Sequence, residues 1–323
     1  MSGYRHRTRG IRTVADLKGK KVAVNTLNNI GTLAVSATLD AHGLRPQDVN
    51  FVEIPFPDMP AVVTEMEIDL FPVSQLLGGG LYFGPEACEA VLHRYVDWVA
   101  ATPEEMGTSV VLLLSYPDDE TAPEPLRGRH ITEIRFAYSG AGLADGLRWI
   151  DAFRRLGSPV LDTIRVLPYA DMGTIHHEPT GIPVAAFDKN TLLGRLDAPG
   201  AEMLFKHAGP PARASFAAEL RAFGGALARR PAVPNCVGSR GASSVLFAAS
   251  TDAGDSARDA LHTAMRPWGT GMGYLNFMGV EDVTVDAVGT AYTPADFARL
   301  RELKAIYDPV NTFRINHNIP PQR

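Results

Sequence analysis

The sequence predicts an α+β fold in which helices cover an antiparallel sheet, preceded by a small N-terminal β-α-β unit. Residues 62–70 alternate apolar and polar side chains with a period of two, which indicates a half-buried strand. Residues 85–101 place apolar side chains along one helical stripe: Cys88, Val91, Leu92, Tyr95 and Trp98. Pairs of predicted strands separated by helices then recur along the chain. This order favours antiparallel pairing with the helices on one face of the sheet.

Apolar periodicity and turn residues predict the remaining elements in order. Further strands are predicted at residues 76–83, 108–116, 130–139, 214–223 and 243–250. Helices are predicted at residues 141–156, within 189–208, and at 253–266 and 294–306. Residues 159–183 are predicted to be rich in loops, and the sequence contains no visible internal repeat.

The first sixty residues have a different organisation. Strands are predicted at residues 21–25 and 49–54, with a helix at residues 31–42 between them, so the two strands should pair in parallel. The stretch Pro55-Phe-Pro-Asp-Met-Pro60 then ends the unit, because three prolines in six residues continue neither a strand nor a helix. We therefore predict one domain over residues 1–60 and a second over residues 61–323.

Composition excludes several classes of function. The 323 residues carry a net charge of −5, so there is no basic field for nucleic acid. No apolar run is long enough to span a membrane, and no apolar segment follows the basic N-terminus as in a secretory signal. We expect a cytoplasmic protein without a membrane partner. The two cysteines stand apart in sequence, so we expect reduced thiols and no metal site.

Four motifs together resemble the berberine-bridge-type FAD-linked oxidases over residues 62–323. Residues 307–321 read YDPVNTFRINHNIPP and residues 268–277 read WGTGMGYLNF. Residues 77–81 read LGGGL and residues 219–225 read ELRAFGG. The resemblance implies an FAD-dependent oxidoreductase that transfers a hydride from a small organic substrate to the flavin. It also implies that this part of the chain covers the flavin ring and shapes the substrate pocket.

Residues 11–60 resemble periplasmic solute-binding proteins of the sulfonate, nitrate or thiamine-precursor type. Residues 1–61 contain no motif of the flavin lobe, so we expect an incomplete oxidase that binds FAD weakly or not at all, and without covalent attachment. Two alternatives remain open at this stage. One is a solute-binding component of an ABC importer, and the other is a non-catalytic remnant formed by fusion of two fragments.

Candidate cofactor-binding residues lie in the C-terminal motifs. In a strand, Tyr274 and Asn276 would share one face, and a phenol and a carboxamide can hydrogen-bond the edge of a flavin ring. The resemblance implies that role, and the alternative is an ordinary strand edge beside a glycine-rich turn. Asn316 and Asn318 belong to the terminal motif. They would either contact the flavin or face water.

Candidate substrate-binding residues are Glu219, Arg221 and His176. Glu219 and Arg221 are two apart on a predicted strand, so they share a face, where they would bind a polar substrate or shift the pKa of a catalytic group. The alternative is a solvated surface ion pair. His176 adjoins His177, and such neighbours diverge too much for a shared metal, so we expect His176 to line the substrate pocket.

The family resemblance also predicts an exposed apolar surface. One face of the predicted lobe should cover the flavin and the flavin lobe, and large contiguous apolar patches usually mark interfaces. We therefore expect self-association through this flavin-facing surface.

We predict that residues 62–323 fold without residues 1–60, because the composition changes at the proline-rich stretch and the family resemblance begins after it. Limited proteolysis should cut within residues 55–60, and the shorter chain should unfold cooperatively on heating. An insoluble fragment, or one without a cooperative transition, would show that both parts share one core.

Overall fold

The computed structural model describes residues 14–24, 36, 39–40, 43–53, 75–116, 118–140, 142–176, 186–212, 216–230 and 235–322. The chain divides into two compact units, residues 1–72 and 73–323. The boundary predicted at residue 60, the strand predicted at residues 62–70 and most of the helix predicted at 31–42 lie outside the described residues. These three expectations stay predictions.

The N-terminal unit contains two short parallel strands. Strand β1 (Lys21–Val24) pairs with β2 (Asn50–Glu53), as the predicted β-α-β order requires. One 3-10 turn, Pro46–Asp48, leads into β2. The Asp48 carboxylate accepts the Arg45 backbone N–H at 2.7 Å, which closes this turn at its start.

The second unit is built on one eight-stranded antiparallel sheet. The strands are β3 (Gln75–Phe83), β4 (Met106–Ser115), β5 (His130–Tyr138), β6 (Leu161–Asp162), β7 (Arg165–Pro168), β8 (Phe187–Leu193), β9 (Ala217–Ala222) and β10 (Ser244–Ser250). Their order is β6-β3-β5-β4-β9-β10-β8, and β7 also pairs with β3. The predicted α+β class with an antiparallel sheet is confirmed.

In the described part of this unit the helices are α1 (Cys88–Val99), α2 (Leu143–Arg154), α3 (Ala198–Ala208), α4 (Gly225–Ala228), α5 (Ser256–Ala264), α6 (Val285–Gly289) and α7 (Pro294–Tyr307). Side-chain caps start several of them, since the Asp197 carboxylate accepts from Gly200 N and the Thr293 hydroxyl accepts from Asp296 N. Over the described residues, no helix has the length and apolar character needed to cross a bilayer.

The order of elements occurs twice in the second unit. The segment β3-α1-β4-β5-α2 has the order strand, helix, strand, strand, helix, and β8-α3-β9-β10-α5 has the same order apart from the one-turn helix α4 between β9 and β10. In the sheet the two halves mirror each other as β3-β5-β4 and β9-β10-β8, and they meet where β4 pairs with β9. The sequence shows no such repeat, because different residues can form the same order and packing of strands and helices.

Four of the helices cover one face of the sheet. Helices α1, α2, α3 and α5 share one apolar cluster with sheet residues that include Leu81, Ile134, Leu220 and Leu246. Trp98 of α1 is central to it, because its ring centroid lies 5.0 Å from that of Phe153 and 5.8 Å from that of Phe136. Since strand side chains alternate, the residues between these project from the opposite face.

Two expectations about secondary structure are wrong. Residues 187–193 form strand β8 instead of a helix, and only α3 within residues 189–208 is helical. The sequence FDKNTLL has no alternation, and its conformation comes from pairing with β10 along its whole length. The zone predicted to be loop-rich at 159–183 contains β6, β7 and a 3-10 segment, Tyr169–Ile175.

Replacing Trp98 by alanine should lower the free energy of unfolding by about 3–5 kcal/mol, because the side chain is 4% exposed and leaves a cavity. Urea denaturation followed by circular dichroism measures the change. Tyr307→Ala is the control, since Tyr307 is 71% exposed and its loss should cost less than about 0.5 kcal/mol. Equal effects of the two substitutions would contradict the placement of this core.

Candidate functional site

The face of the sheet opposite this apolar cluster carries a row of four charged side chains across the join between the two halves. These are Glu133 and Arg135 on β5, and Glu219 and Arg221 on β9. Strand β4 lies between them, and Ser109 is paired in register with both arginines. Val111 is paired with both glutamates. Each half therefore contributes one Glu-x-Arg sequence, and the two sequences lie at the same register along β4. We call these four residues the charged row.

Arg135 connects the members of the charged row. Its Nη2 lies 3.0 Å from Glu133 Oε2, and its Nη1 lies 3.7 Å from Glu219 Oε1. The same guanidinium reaches His176, with Nη1 3.2 Å from the Nδ1 atom and Nη2 donating to the backbone carbonyl at 3.4 Å. The Arg135 side chain is only 9% exposed. One buried cation therefore joins two strands and the segment that follows β7.

The contact with Arg135 fixes the tautomer of His176. A guanidinium has only donors, so the Nδ1 atom at 3.2 Å must accept, and the proton of a neutral imidazole lies on Nε2. His176 therefore presents an N–H donor at Nε2. The structure brings this predicted residue to the charged row through Arg135, which the sequence interpretation did not single out.

Glu219 and Arg221 form a two-point ion pair at the floor of this face. Arg221 donates from Nε and Nη2 to the two carboxylate oxygens of Glu219, at 3.0 and 3.1 Å. They project from the same face, as their spacing predicts. Glu219 is buried, so this is not a solvated surface pair. The Arg221 side chain is 35% exposed, and its guanidinium carbon lies 5.2 Å from the centroid of the Phe277 ring.

Glu133 and Tyr82 are further members of the site that the sequence interpretation missed. Both are fully buried. Burial raises the pKa of Glu133, and the charge of Arg135 and a hydrogen bond with Tyr82 oppose the shift without cancelling it. Burial likewise raises the pKa of the Tyr82 phenol. The available signal was the sequence Glu-Ile-Arg of β5, which has the same spacing as Glu-Leu-Arg of β9.

Tyr274 and Asn276 lie in a turn instead of the predicted strand. Leu275–Phe277 is a 3-10 turn, and Asn276 Nδ2 donates to the Tyr274 hydroxyl at 3.4 Å. Asn190 of β8 causes this conformation. Its Oδ1 atom accepts from Tyr274 N at 3.0 Å, and its Nδ2 atom donates to Phe277 O at 2.8 Å. The two predicted side chains do meet, but through a turn fixed by a distant amide.

The turn and the 3-10 segment bound the charged row on two sides. Ring contacts fix the turn to the sheet, with Tyr274 5.1 Å from Phe223 and Phe277 4.7 Å from Phe247 between centroids. Towards the other edge, Ile175 packs with side chains of β3 and β7. The floor between the two boundaries contains Ser109 and the Glu219–Arg221 pair.

The terminal motif is organised by its acid and its asparagines. Asp308 accepts the backbone N–H groups of Thr312 and Phe313 at 2.7 and 3.0 Å. A hydrogen bond from Lys304 is the main cause of its pKa of about 2. Asn311 and Asn316 have φ values of 55° and 66°, in the left-handed region that asparagine tolerates better than most residues.

The two predicted asparagines, Asn316 and Asn318, lie in different environments. Asn316 is exposed, and its conformation explains the residue type without a ligand. The side-chain oxygen of Asn318 is buried and has no hydrogen-bond partner among the described residues. His317 Nε2 donates to Gly279 O at 3.1 Å, which fixes this tail close to the end of the Tyr274 turn. Within the described residues, no three His, Cys, Asp or Glu side chains form a metal site.

Comparison with protein families confirms both resemblances. Residues 273–320 match the family described as berberine and berberine like. Residues 4–74 match the family described as NMT1/THI5 like, a match that continues past the predicted boundary at residue 60. Over 59 residues, 18% of this chain and 12% of the relative, the chain is 44% identical to the uncharacterised FAD-linked oxidoreductase YvdP of Bacillus subtilis.

Solved structures establish the fold of an FAD-linked oxidase lobe. The chain is similar to 6-hydroxy-D-nicotine oxidase from Arthrobacter nicotinovorans, with 24% identity over 77% of this chain and a TM-score of 0.57. For berberine bridge enzyme from Eschscholzia californica the values are 13%, 77% and 0.58. For xylooligosaccharide oxidase from Myceliophthora thermophila they are 15%, 78% and 0.56. The match spans 55–56% of the length of these three chains.

We predict that the unfolding free energy of Glu133→Gln increases relative to that of the wild type as the pH rises. A raised pKa in the folded protein means that the contribution of Glu133 is fully present below pH 4.5, its ordinary pKa, and is lost as the pH rises through the folded-state value. Glutamine cannot ionise. The difference in unfolding free energy, variant minus wild type, should therefore increase between about pH 4 and about pH 7.

Urea denaturation at both pH values measures this difference, with Glu124→Gln, an exposed position, as the control. A difference that falls with pH would show that the ion pair with Arg135 outweighs the burial of Glu133.

Proposed function

We propose that the second unit is the substrate-binding lobe of an FAD-linked oxidoreductase of berberine-bridge type. The observation that carries the proposal is the buried Glu219–Arg221 pair, which lies on the floor between His176 and the Tyr274 turn. Charged groups held in a bounded space beside aromatic rings are typical of a site for a small polar substrate. Known FAD-linked oxidases share this fold.

The polar groups around the turn fit an isoalloxazine edge. Asn276 is exposed, and its carboxamide together with the Tyr274 hydroxyl offers both donors and acceptors. The buried Asn318 oxygen is an acceptor that a flavin N–H would satisfy. When bound, FAD would supply the hydride acceptor, and the protein would supply position and electrostatics. Asn316 is assigned no contact, because its backbone conformation already accounts for it.

Each residue at the floor has a proposed role towards the substrate. Glu219 would accept the proton that leaves an O–H or N–H group while the adjacent C–H bond gives up its hydride. Arg221 would hold the Glu219 carboxylate in one orientation through its two hydrogen bonds. His176, protonated at Nε2, would donate a hydrogen bond to a substrate acceptor. Arg135 would hold both Glu219 and His176 in place.

The substrate class is a small organic molecule with a C–H bond next to oxygen or nitrogen. The names of the similar structures cover an oxidase of 6-hydroxy-D-nicotine and an oxidase of xylooligosaccharides in complex with xylobiose. Proteins with this fold therefore include oxidases named for both kinds of molecule. The charged row of this chain is compatible with either, since it offers a carboxylate acceptor and an imidazole donor.

The N-terminal unit supports a separate candidate function. Its match to the NMT1/THI5-like family and its parallel β1–β2 pair favour binding of a small solute, as in the importer component considered from the sequence. This candidate concerns residues 4–74, so it does not compete with the oxidase role of the second unit.

The C-terminal segment supports the expected apolar interface. Its large apolar side chains are exposed to 67–84%: Ile306, Tyr307, Val310, Phe313 and Ile315. Large apolar side chains exposed in one segment are typical of an interface when they form a single patch. Self-association through these C-terminal side chains remains part of the proposal. Measurement of the oligomeric state in solution tests it.

Removal of the Tyr274 hydroxyl or of the Asn276 carboxamide should each weaken FAD binding by about two- to tenfold. A neutral hydrogen bond contributes about 0.5–1.5 kcal/mol, which corresponds to that range. Titration of FAD with the full chain, followed by quenching of flavin fluorescence, compares the wild type with Tyr274→Phe and Asn276→Ala. The absorbance spectrum of the purified protein reports any flavin that is already bound.

Tyr307→Phe is the matched control, because it removes one hydroxyl from an exposed tyrosine outside the turn. It should leave FAD binding unchanged. The proposal fails if the wild type does not perturb FAD at all, or if Tyr274→Phe and Tyr307→Phe have the same effect.

A further inference from the structure

A second cavity lies on the other side of the sheet from the charged row. It has a volume of about 470 Å³ and opens between the C-terminal end of α1, the end of β9 and the start of β10. Its wall includes Leu220 and Ala222, which alternate with Glu219 and Arg221 along β9 and so project from the helix-covered face. The cavity is therefore distinct from the proposed oxidase site, although both use β9.

The lining of the cavity combines apolar side chains with polar groups in similar measure. Val96 and Val99 of α1 face Leu196 and Leu220 across it. The Tyr95 side chain is fully buried, and its hydroxyl donates to Leu220 O at 3.4 Å and also interacts with Thr108 and with the backbone of Ala222. A volume of about 300–1,000 Å³ is typical of small-molecule sites.

The rim of the cavity has an excess of positive charge. Glu104 is neutralised by a two-point ion pair with Arg229. Arg195 is exposed and makes no hydrogen bond or ion pair with any residue that the structure describes. The carbonyl end of α1 would oppose an anion, but Val99 O already accepts from Thr102 N and Thr102 Oγ1 at 3.4 and 2.8 Å.

We propose that this cavity binds a small organic anion with an apolar body, with its acid group at Arg195 and its body against Val96, Val99 and Leu220. A carboxylate suits a guanidinium that has no other partner, because the planar donors match its two oxygens. The Tyr95 hydroxyl would meet the inner end of a ligand that carries a polar substituent. The proposal does not depend on the oxidase role of the opposite face.

The probe for the test is phenylacetate, with phenylacetamide and phenethylamine as neutral and cationic analogues of similar size. Methyl-resolved NMR of the full chain reports binding at Val96, Val99 and Leu220, which line the cavity. Phenylacetate should shift these signals more strongly than either analogue. Arg195→Gln should weaken its binding at least fivefold, and Ala222→Trp should abolish it by filling the cavity.

Two control variants make the outcome decisive. Arg155→Gln removes an exposed charge at the end of α2, and Arg221→Gln alters the charged row; both should leave phenylacetate binding unchanged. The inference is overturned if phenylacetate shifts none of the three residues. It is also overturned if the three probes bind equally, or if Arg221→Gln weakens binding more than Arg195→Gln. Because Arg195 is exposed, Arg195→Gln is expected to fold, which a thermal melt verifies.

Discussion

The guanidinium of Arg135 sets the arrangement of the sheet face that carries the site. Two carboxylates are buried on that face, and an unpaired buried charge costs several kcal/mol, so each needs a cation within reach. Arg135 lies 3.0 Å from one and 3.7 Å from the other. Because it also contacts His176, the same group that neutralises the strands positions the segment that borders them. Its removal would leave Glu133 buried without a cation and would release His176.

The rest of the fold makes this arrangement rigid. Helices α1, α2, α3 and α5 pack on one face, where the cluster around Trp98 fixes strand positions, and the charged row lies on the opposite face. Asn190 also restrains the site, because its carboxamide hydrogen-bonds both ends of the Tyr274 turn. Side chains fixed by strands and by second contacts are the usual basis of an ordered site.

The sequence predicts the parts of this structure that local pattern determines. Strands β3, β4 and β5 and helix α1 were expected within a few residues, because each has a clear apolar period. Strand β8 has no such period, and the Tyr274 turn depends on an amide 84 residues away, so neither can be inferred from neighbours alone. The spacing of Glu219 and Arg221 predicts their shared face, whereas their role towards a substrate and that of His176 stay predictions. Glu133 and Arg135 were missed because they stand among apolar residues.

The join between the two halves has a further consequence for the site. Strands β4 and β9 pair over only four residues, Ser109 to Leu112 against Arg221 to Ala218, and the charged row straddles this short seam. Neither half holds a complete site, since each contributes one glutamate and one arginine. The two halves cannot separate at the seam without hydrating all four charges. Opening of the sheet between β4 and β9 would therefore also separate the charged row, so the two are lost together.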